Sequence, residues 1–336
     1  MMNLPDNEWS LIIFNILGDL SVGAFLIMGI VHFYAARKAD PKQADIMNTR
    51  ALLVLGPILV LGMLAVLAHV GNPDRMFNML SNIDTSWLAR EVLFYGAFLV
   101  VGGIFAVLQA LTLLAPGLIE RLPEGLRKIL PTIRVLLAWV AAILGLIFVF
   151  SAAMIYYDPR LASRQTGWAH IHTVILFFAD TVLLGSLALA VGYVFNYLWV
   201  QRSHKGDEET RTIQQGLLHD AIQGTSFLAI AAVGVLFVIV PIFTTYLGAV
   251  DSAVNNAYVV MLHTEYANLV LARLFLVFTG AGILATLSMY FALSDRRRNA
   301  LLYLFVIGAF ICVFVAELIA RYIFYGANAT LLVGGM

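Results

Sequence analysis

Charge is scarce in this chain. Asp, Glu, Lys and Arg together make up 12% of 336 residues, about half the share of an ordinary soluble domain. The formal net charge is zero, which gives no electrostatic footprint for nucleic acid. Cysteine occurs once, as Cys312 inside an apolar run. One cysteine excludes an intrachain disulfide and any Cys-ligated iron–sulfur cluster held by this chain alone. The start, MMNLPDNEW, lacks a basic segment ahead of its first apolar run, so no cleavable leader is expected. Short alternating strands of about ten residues, the mark of a membrane barrel, are also missing.

What remains is apolar: 61% of the residues are hydrophobic and the mean hydropathy is +0.90. Eight long apolar runs stand out, roughly at 9–36, 50–70, 88–115, 133–156, 168–200, 217–247, 263–293 and 299–325. Each approaches or exceeds the roughly 20 residues that cross a bilayer as helix, and helices satisfy every backbone group within their own segment. The expected fold is therefore all-α: a polytopic membrane protein, a bundle of about eight transmembrane helices forming one domain over 1–336. Gly56-Pro57 and Pro241 mark expected bends, because proline removes a helical hydrogen bond. The stretch 116–132 reads as a polar break. The charged stretch 202–216 reads as a solvated loop, and Trp9, Trp87 and Trp168 as interface residues.

The basic residues orient the bundle. Fourteen fall around the connections after spans one, three, five and seven, among them Arg37, Lys38, Arg134, Arg202 and Arg296 to Arg298; four fall after spans two and four (Arg75, Arg90, Arg160 and Arg164). Positive charge marks the cytoplasmic side. Both termini and the connection 71–87 are expected to face outward, which in a bacterial inner membrane is the periplasm.

Charged groups inside spans sit in bundle interiors or wet cavities. At about 1.5 Å of rise per residue, Asp19 and Asp180 fall near mid-depth, while His69, Arg90, Glu91, His170, His172 and Glu265 gather at the outer ends. Glu317 and Arg321, four apart, share a helix face and read as an ion pair. Arg273 reads as the neutraliser of Glu265 or another acid. His170 and His172 read as residues of the membrane interface.

The stretch 67–91 carries the most chemistry. His69 ends one span and Glu91 opens the next, with Asn72 and Arg75 in the connection between them. A quinol gives up two electrons and two protons as it is oxidised. An imidazole accepts a proton near neutral pH, and a half-buried carboxylate accepts one and passes it on. The two side chains thus match the needs of a quinol held at the outer face.

Three motifs sharpen this reading. AHVGNPDRMFNML followed by LAREV resembles the membrane anchor subunits of dimethyl sulfoxide reductases, as do the N-terminal EWSLIIFNILGDLSVGAFLI and the C-terminal AELIARYIFYGANAT. The likeness runs nearly the full length, though between about 100 and 300 it is mainly one of hydrophobic spans. The resemblance implies an eight-helix anchor free of haem and clusters, with outward termini. It implies menaquinol as substrate near the outer face. It implies an iron–sulfur subunit as electron acceptor, and beyond it a molybdopterin catalytic subunit, as in anaerobic respiration. It places the quinol-site histidine on His69 and the functional acid on Glu91, 22 residues later; beside these two, Asn72, Arg75 and Asp19 are the further candidates for contact with the quinol. Asp19 is a departure, since an uncharged polar residue such as Gln is expected there. The connections 71–87, 157–167 and 248–262 are the expected docking face for the partner.

Other readings share parts of this pattern. A haem b anchor would need facing histidines, for which His69 with His172 and His32 with His219 are the candidate pairs. A polysulfide-reductase-type anchor would change the partner more than the chemistry. A secondary transporter would use Asp19, Asp180 and Arg273 as coupling residues.

Overall fold

The computed structural model describes residues 8–69, 73–157, 168, 170–250, 253–294 and 299–333. Among them, eight helices are long and apolar enough to cross a membrane. They are α1 (Glu8–Lys38), α2 (Pro41–His69), α3 (Trp87–Leu114), α4 (Glu124–Tyr157), α5 (Ile171–Ser203), α6 (Glu208–Ala249), α7 and α8 (Asn299–Val333). The seventh is built from Ala267–Val277, a π-helical stretch Phe278–Leu284, and Ala285–Ser294. No strand occurs among the described residues. Shorter helices cover Pro116–Glu120 and Ala253–His263, and a 3₁₀ segment covers Pro73–Asn82.

Consecutive spans pack as pairs: α1 with α2, α3 with α4, α5 with α6, and α7 with α8. Two helices form the centre. Over their most apolar windows α1 is 72% buried and α5 67%, whereas the other six lie between 11% and 33%. The outer helices therefore turn apolar side chains such as Leu271, Phe275, Val135 and Trp139 outward, where lipid solvates them. The central pair approach through glycine. A Cβ built on Gly23 would run into the carbonyl oxygen of Thr181, and one on Gly185 into the backbone of Gly23. Small residues at such a crossing let membrane helices touch backbone to backbone.

The helices extend past their apolar runs. The stretch 202–216, expected as a loop, is mostly the start of α6. Asp207 caps it by accepting a hydrogen bond from the Thr210 amide at 2.9 Å, and that bond holds the exposed Asp207 carboxyl below its ordinary range. Thr210 and Gln214 are buried against Gln43 of α2, so polar pairing keeps this turn helical. The polar break 116–132 likewise contains a short helix and the first turns of α4. Both α2 and α6 continue through Pro57 and Pro241 as helix.

The end bearing the connections after α1, α3, α5 and α7 is tied by polar contacts. Arg134 pairs with Asp45 at 2.9 Å, Gln109 donates to Asp45 at 2.8 Å, and Lys38 pairs with Asp220. His32 meets Asn48 at 3.1 Å, and His219 has Ala292 O and Asn299 Oδ1 each at 3.1 Å from its two ring nitrogens.

Candidate functional site

At the opposite end, α3 begins with Ser86 as its cap, whose hydroxyl accepts from the Ala89 amide at 3.3 Å. The next two residues diverge. Arg90 folds back on the preceding turn, donating to the carbonyls of Ile83 and Asp84, both at 2.8 Å, with its guanidinium over the Trp87 ring. Glu91 turns inward and is 2% exposed. Among the described residues, no basic group stands within 4.0 Å of its carboxylate. Asp19 and Arg321 are nonetheless close enough for their charges to act on it.

Those two residues belong to a buried polar centre between α1, α5, α7 and α8. Arg321 Nη2 donates to Asp19 Oδ2 at 2.7 Å and to Asp180 Oδ2 at 3.3 Å. One nitrogen thus holds a carboxylate from each of the two central helices. The guanidinium also lies 4.0 Å from the Phe177 ring centroid, a cation–π contact. Thr181 donates to Asp19 Oδ1 at 3.2 Å. Arg273 of α7 reaches Glu317 at 3.8 Å. Glu317 and Arg321 therefore do not pair with each other: each serves a different helix. Arg273 does neutralise an acid, but that acid is Glu317, while Glu265 is exposed.

Hydroxyl groups extend the centre toward α4. Asn15 donates to the Tyr325 hydroxyl at 3.0 Å, and the Tyr325 and Tyr156 hydroxyls are 2.7 Å apart. Glu91 and Arg321 both lie near enough to act on Tyr156. Asn15, Tyr156, Thr181 and Tyr325 are uncharged, so no charge in a span flagged them. The register did hold a signal for one pair: α1 and α8 run antiparallel, and one turn from Asp19–Arg321 in each helix gives Asn15–Tyr325.

The sequence-derived residues fare differently. Asp19 is bound to Arg321, and Glu91 lies near enough for the charges of both to act on it without touching either. His69 ends α2, but its side chain lies outside the described residues, as does that of Arg75 in the 3₁₀ segment. Asn72 falls wholly outside them. Two expectations at this end of the bundle need correction. His172 is no interface residue: it is buried and stacked on Phe243, with centroids 3.2 Å apart. Trp168 packs inside the bundle, stacked on Phe324 at 5.1 Å and donating to its carbonyl at 3.0 Å. Aromatic area gained inside the bundle outweighs an interface position for both rings. Of the expected docking connections, 158–167 lie outside the described residues, and 248–262 holds the helix Ala253–His263.

One cavity borders the centre, and a second lies beyond it toward the other end of the bundle. One, of about 40 Å³, is lined by Thr173, Asp180, Arg273, Ala320 and Arg321 among others. The other, about 240 Å³ and almost wholly apolar, lies between α1, α2 and α3, against Phe25, Leu55, Leu59 and Phe98.

Comparison with known proteins bears on what this centre belongs to. The family described as "DMSO reductase anchor subunit (DmsC)" matches residues 2–327. A relative from Escherichia coli K12, "Anaerobic dimethyl sulfoxide reductase chain YnfH", is 26% identical over 326 residues, covering 96% of both sequences. The C subunit of the anaerobic dimethyl sulfoxide reductase of the same organism is 25% identical over 325 residues, again covering 96% of both.

Proposed function

The chain belongs to the DMSO reductase anchor subunit family, and from that membership we propose that it is the quinol-oxidising membrane anchor of a molybdopterin oxidoreductase complex. Menaquinol binds at the outward end of α2 and α3 in a bacterial inner membrane. His69 and Glu91 receive its hydroxyl protons, with Asn72, Arg75 and Asp19 around the ring. Two electrons pass to an iron–sulfur subunit docked on the periplasmic face and then to the molybdopterin subunit. Two protons stay behind for release, so the reaction balances as quinol to quinone plus two electrons and two protons.

The observation that carries this reading is Glu91: a carboxylate buried near the start of α3, within reach of the charges of Asp19 and Arg321, with no ion-pair partner within 4.0 Å among the described residues. A buried acid without a fixed counter-charge is free to exchange a proton with a substrate. The apolar cavity supports it further. It lies between α1 and the two helices that carry His69 and Glu91, and its lining suits part of an isoprenoid tail.

The test uses the assembled complex. His69→Arg and Glu91→Lys each abolish quinol-driven reduction, while assembly and electron uptake from an artificial donor persist. Quinol turnover at the wild-type rate in both variants removes the site assignment.

A further inference from the structure

We propose that the small cavity between α5, α7 and α8, with Asp180 as its acid, carries protons from the quinol site to the outer surface, on the other side of the α1–α5 centre from the quinol. This rests on the quinol-oxidising reading above and assigns the fate of the protons that reading releases.

Three observations carry it. The first is a set of buried polar atoms without hydrogen bonds. Among the described residues, Asp180 Oδ1, both carboxylate oxygens of Glu317 and His172 Nδ1 are buried and make no hydrogen bond. Asp180 is 4% exposed and lines the cavity. Buried polar atoms are almost always paired, with protein or with water. The second is size and lining. About 40 Å³ holds one or two waters and is far too small for a quinol ring. Its walls offer a carboxylate, a hydroxyl and two guanidiniums, the partners an ordered water needs. The described residues contain no group of three or more His, Cys, Asp or Glu arranged to hold a metal ion, so water fits this place better than a cation.

The third is direction and charge. Asp19 and Asp180 bind the same nitrogen of Arg321, so they stand within two hydrogen-bond lengths of each other. Asp19 lies near enough to Glu91 for its charge to act on it; Asp180 lines the cavity. Thr173, also on the cavity wall, is in the first turn of α5, and its hydroxyl is 3.5 Å from His172 Nε2. The groups therefore run from Glu91 through Asp19 and Asp180 to the outer end of α5. Four carboxylates (Asp19, Glu91, Asp180 and Glu317) face two guanidiniums (Arg273 and Arg321). The centre accommodates two protons at neutrality, the number one quinol releases. Each step moves one proton between oxygens through hydroxyl or water, with no change of oxidation state. Arg321 holds its protons throughout and acts as the fixed charge between the two stations.

The experiment compares the purified holocomplex in proteoliposomes carrying wild-type anchor, Asp180→Asn, Ala320→Val or Glu91→Lys. Ala320→Val narrows the cavity without altering a charge. Asp180→Asn lowers quinol-driven turnover at least tenfold, leaves binding of a quinol-analogue inhibitor within twofold, and recovers when a small weak acid such as formate or acetate is added. Ala320→Val slows turnover and raises the solvent deuterium isotope effect. Wild-type turnover in both, beside an inactive Glu91→Lys, overturns the route and leaves the quinol site standing. Loss of inhibitor binding in Asp180→Asn without weak-acid recovery also overturns it, by making Asp180 structural. If Asp180→Asn does not assemble, Ala320→Val decides alone: an unchanged rate and isotope effect overturn the route. Wild-type quinol turnover in Glu91→Lys instead removes the reading on which the route depends.

Discussion

Arg321 holds two carboxylates from two different helices on one nitrogen and rests its guanidinium on Phe177. Lysine cannot copy this arrangement, because its ammonium is a compact point charge without the planar face that stacks on a ring. Removing the charge leaves Asp19 and Asp180 buried without their shared partner, a defect that typically costs about 3–5 kcal/mol. Arg321→Ala should therefore lower the thermal unfolding temperature of the detergent-solubilised protein sharply, and Arg321→Lys should fall between it and the wild type. Asp180→Asn on the alanine background should return part of the loss by removing one of the two stranded charges. An Arg321→Ala protein as stable as the wild type would show that the centre is held by packing alone. The same residue marks where sequence reading stops. The depth of Asp19, Asp180 and Arg321 follows from counting along a helix. The i, i+4 spacing of Glu317 and Arg321 says only that they share a face, not which neighbouring helices that face meets. The structure answers with α7 for one and α1 with α5 for the other. It also gives the unexpected carboxylate at position 19 a physical reason: Asp19 is half of Arg321's counter-charge.

The centre depends on how closely two helices approach. Asp19 precedes Gly23 by one turn in α1, and Thr181 precedes Gly185 by one turn in α5. The backbone contact at the glycines thus sits directly beside the Thr181–Asp19 hydrogen bond. A methyl group on Gly185 meets backbone, which cannot rotate aside, so α1 and α5 must separate. Overpacking of this kind costs about 1–3 kcal/mol. Gly185→Ala should lower thermal stability by that order and, by lengthening the Asp19 contact, weaken quinol-driven turnover as well. Gly29→Ala is the control: its Cβ meets nothing within 4 Å, and the added methyl should leave both readings within error. Equal behaviour of the two variants would remove the glycine crossing as a determinant. At this scale the sequence is informative about the existence of helices and poor about their ends. Among the described residues, each of the eight apolar runs is helical over most of its length, because length and hydropathy suffice for that. The start of α6 escapes a sequence reading because Thr210 and Gln214 look like loop residues until Gln43 supplies their partner on α2.

At the scale of the whole molecule, the polar groups divide by end. One end holds surface-type ion pairs such as Lys38–Asp220 and Arg134–Asp45, with the basic connections around it. The other holds the start of α3, the buried centre just below it, and the cavity that reaches Thr173. On the proposed haem-free reading, an anchor that feeds electrons to a soluble partner needs its redox site and that partner on the same side of the membrane, since one cysteine cannot hold an iron–sulfur cluster within this chain. The charge asymmetry argues that this side is the periplasm. Fusions test it directly. Alkaline phosphatase, active only after export, should be active when fused after the C-terminus or within 83–86, and inactive when inserted at 204–207. A fluorescent protein that matures only in the cytoplasm should give the reverse pattern. The opposite result at all three positions would move the Glu91 end to the cytoplasm. The quinol chemistry could survive that inversion, because it depends on side chains rather than on sidedness. The docking face and the direction of proton release could not, since both follow the end of the bundle on which Glu91 and Thr173 stand.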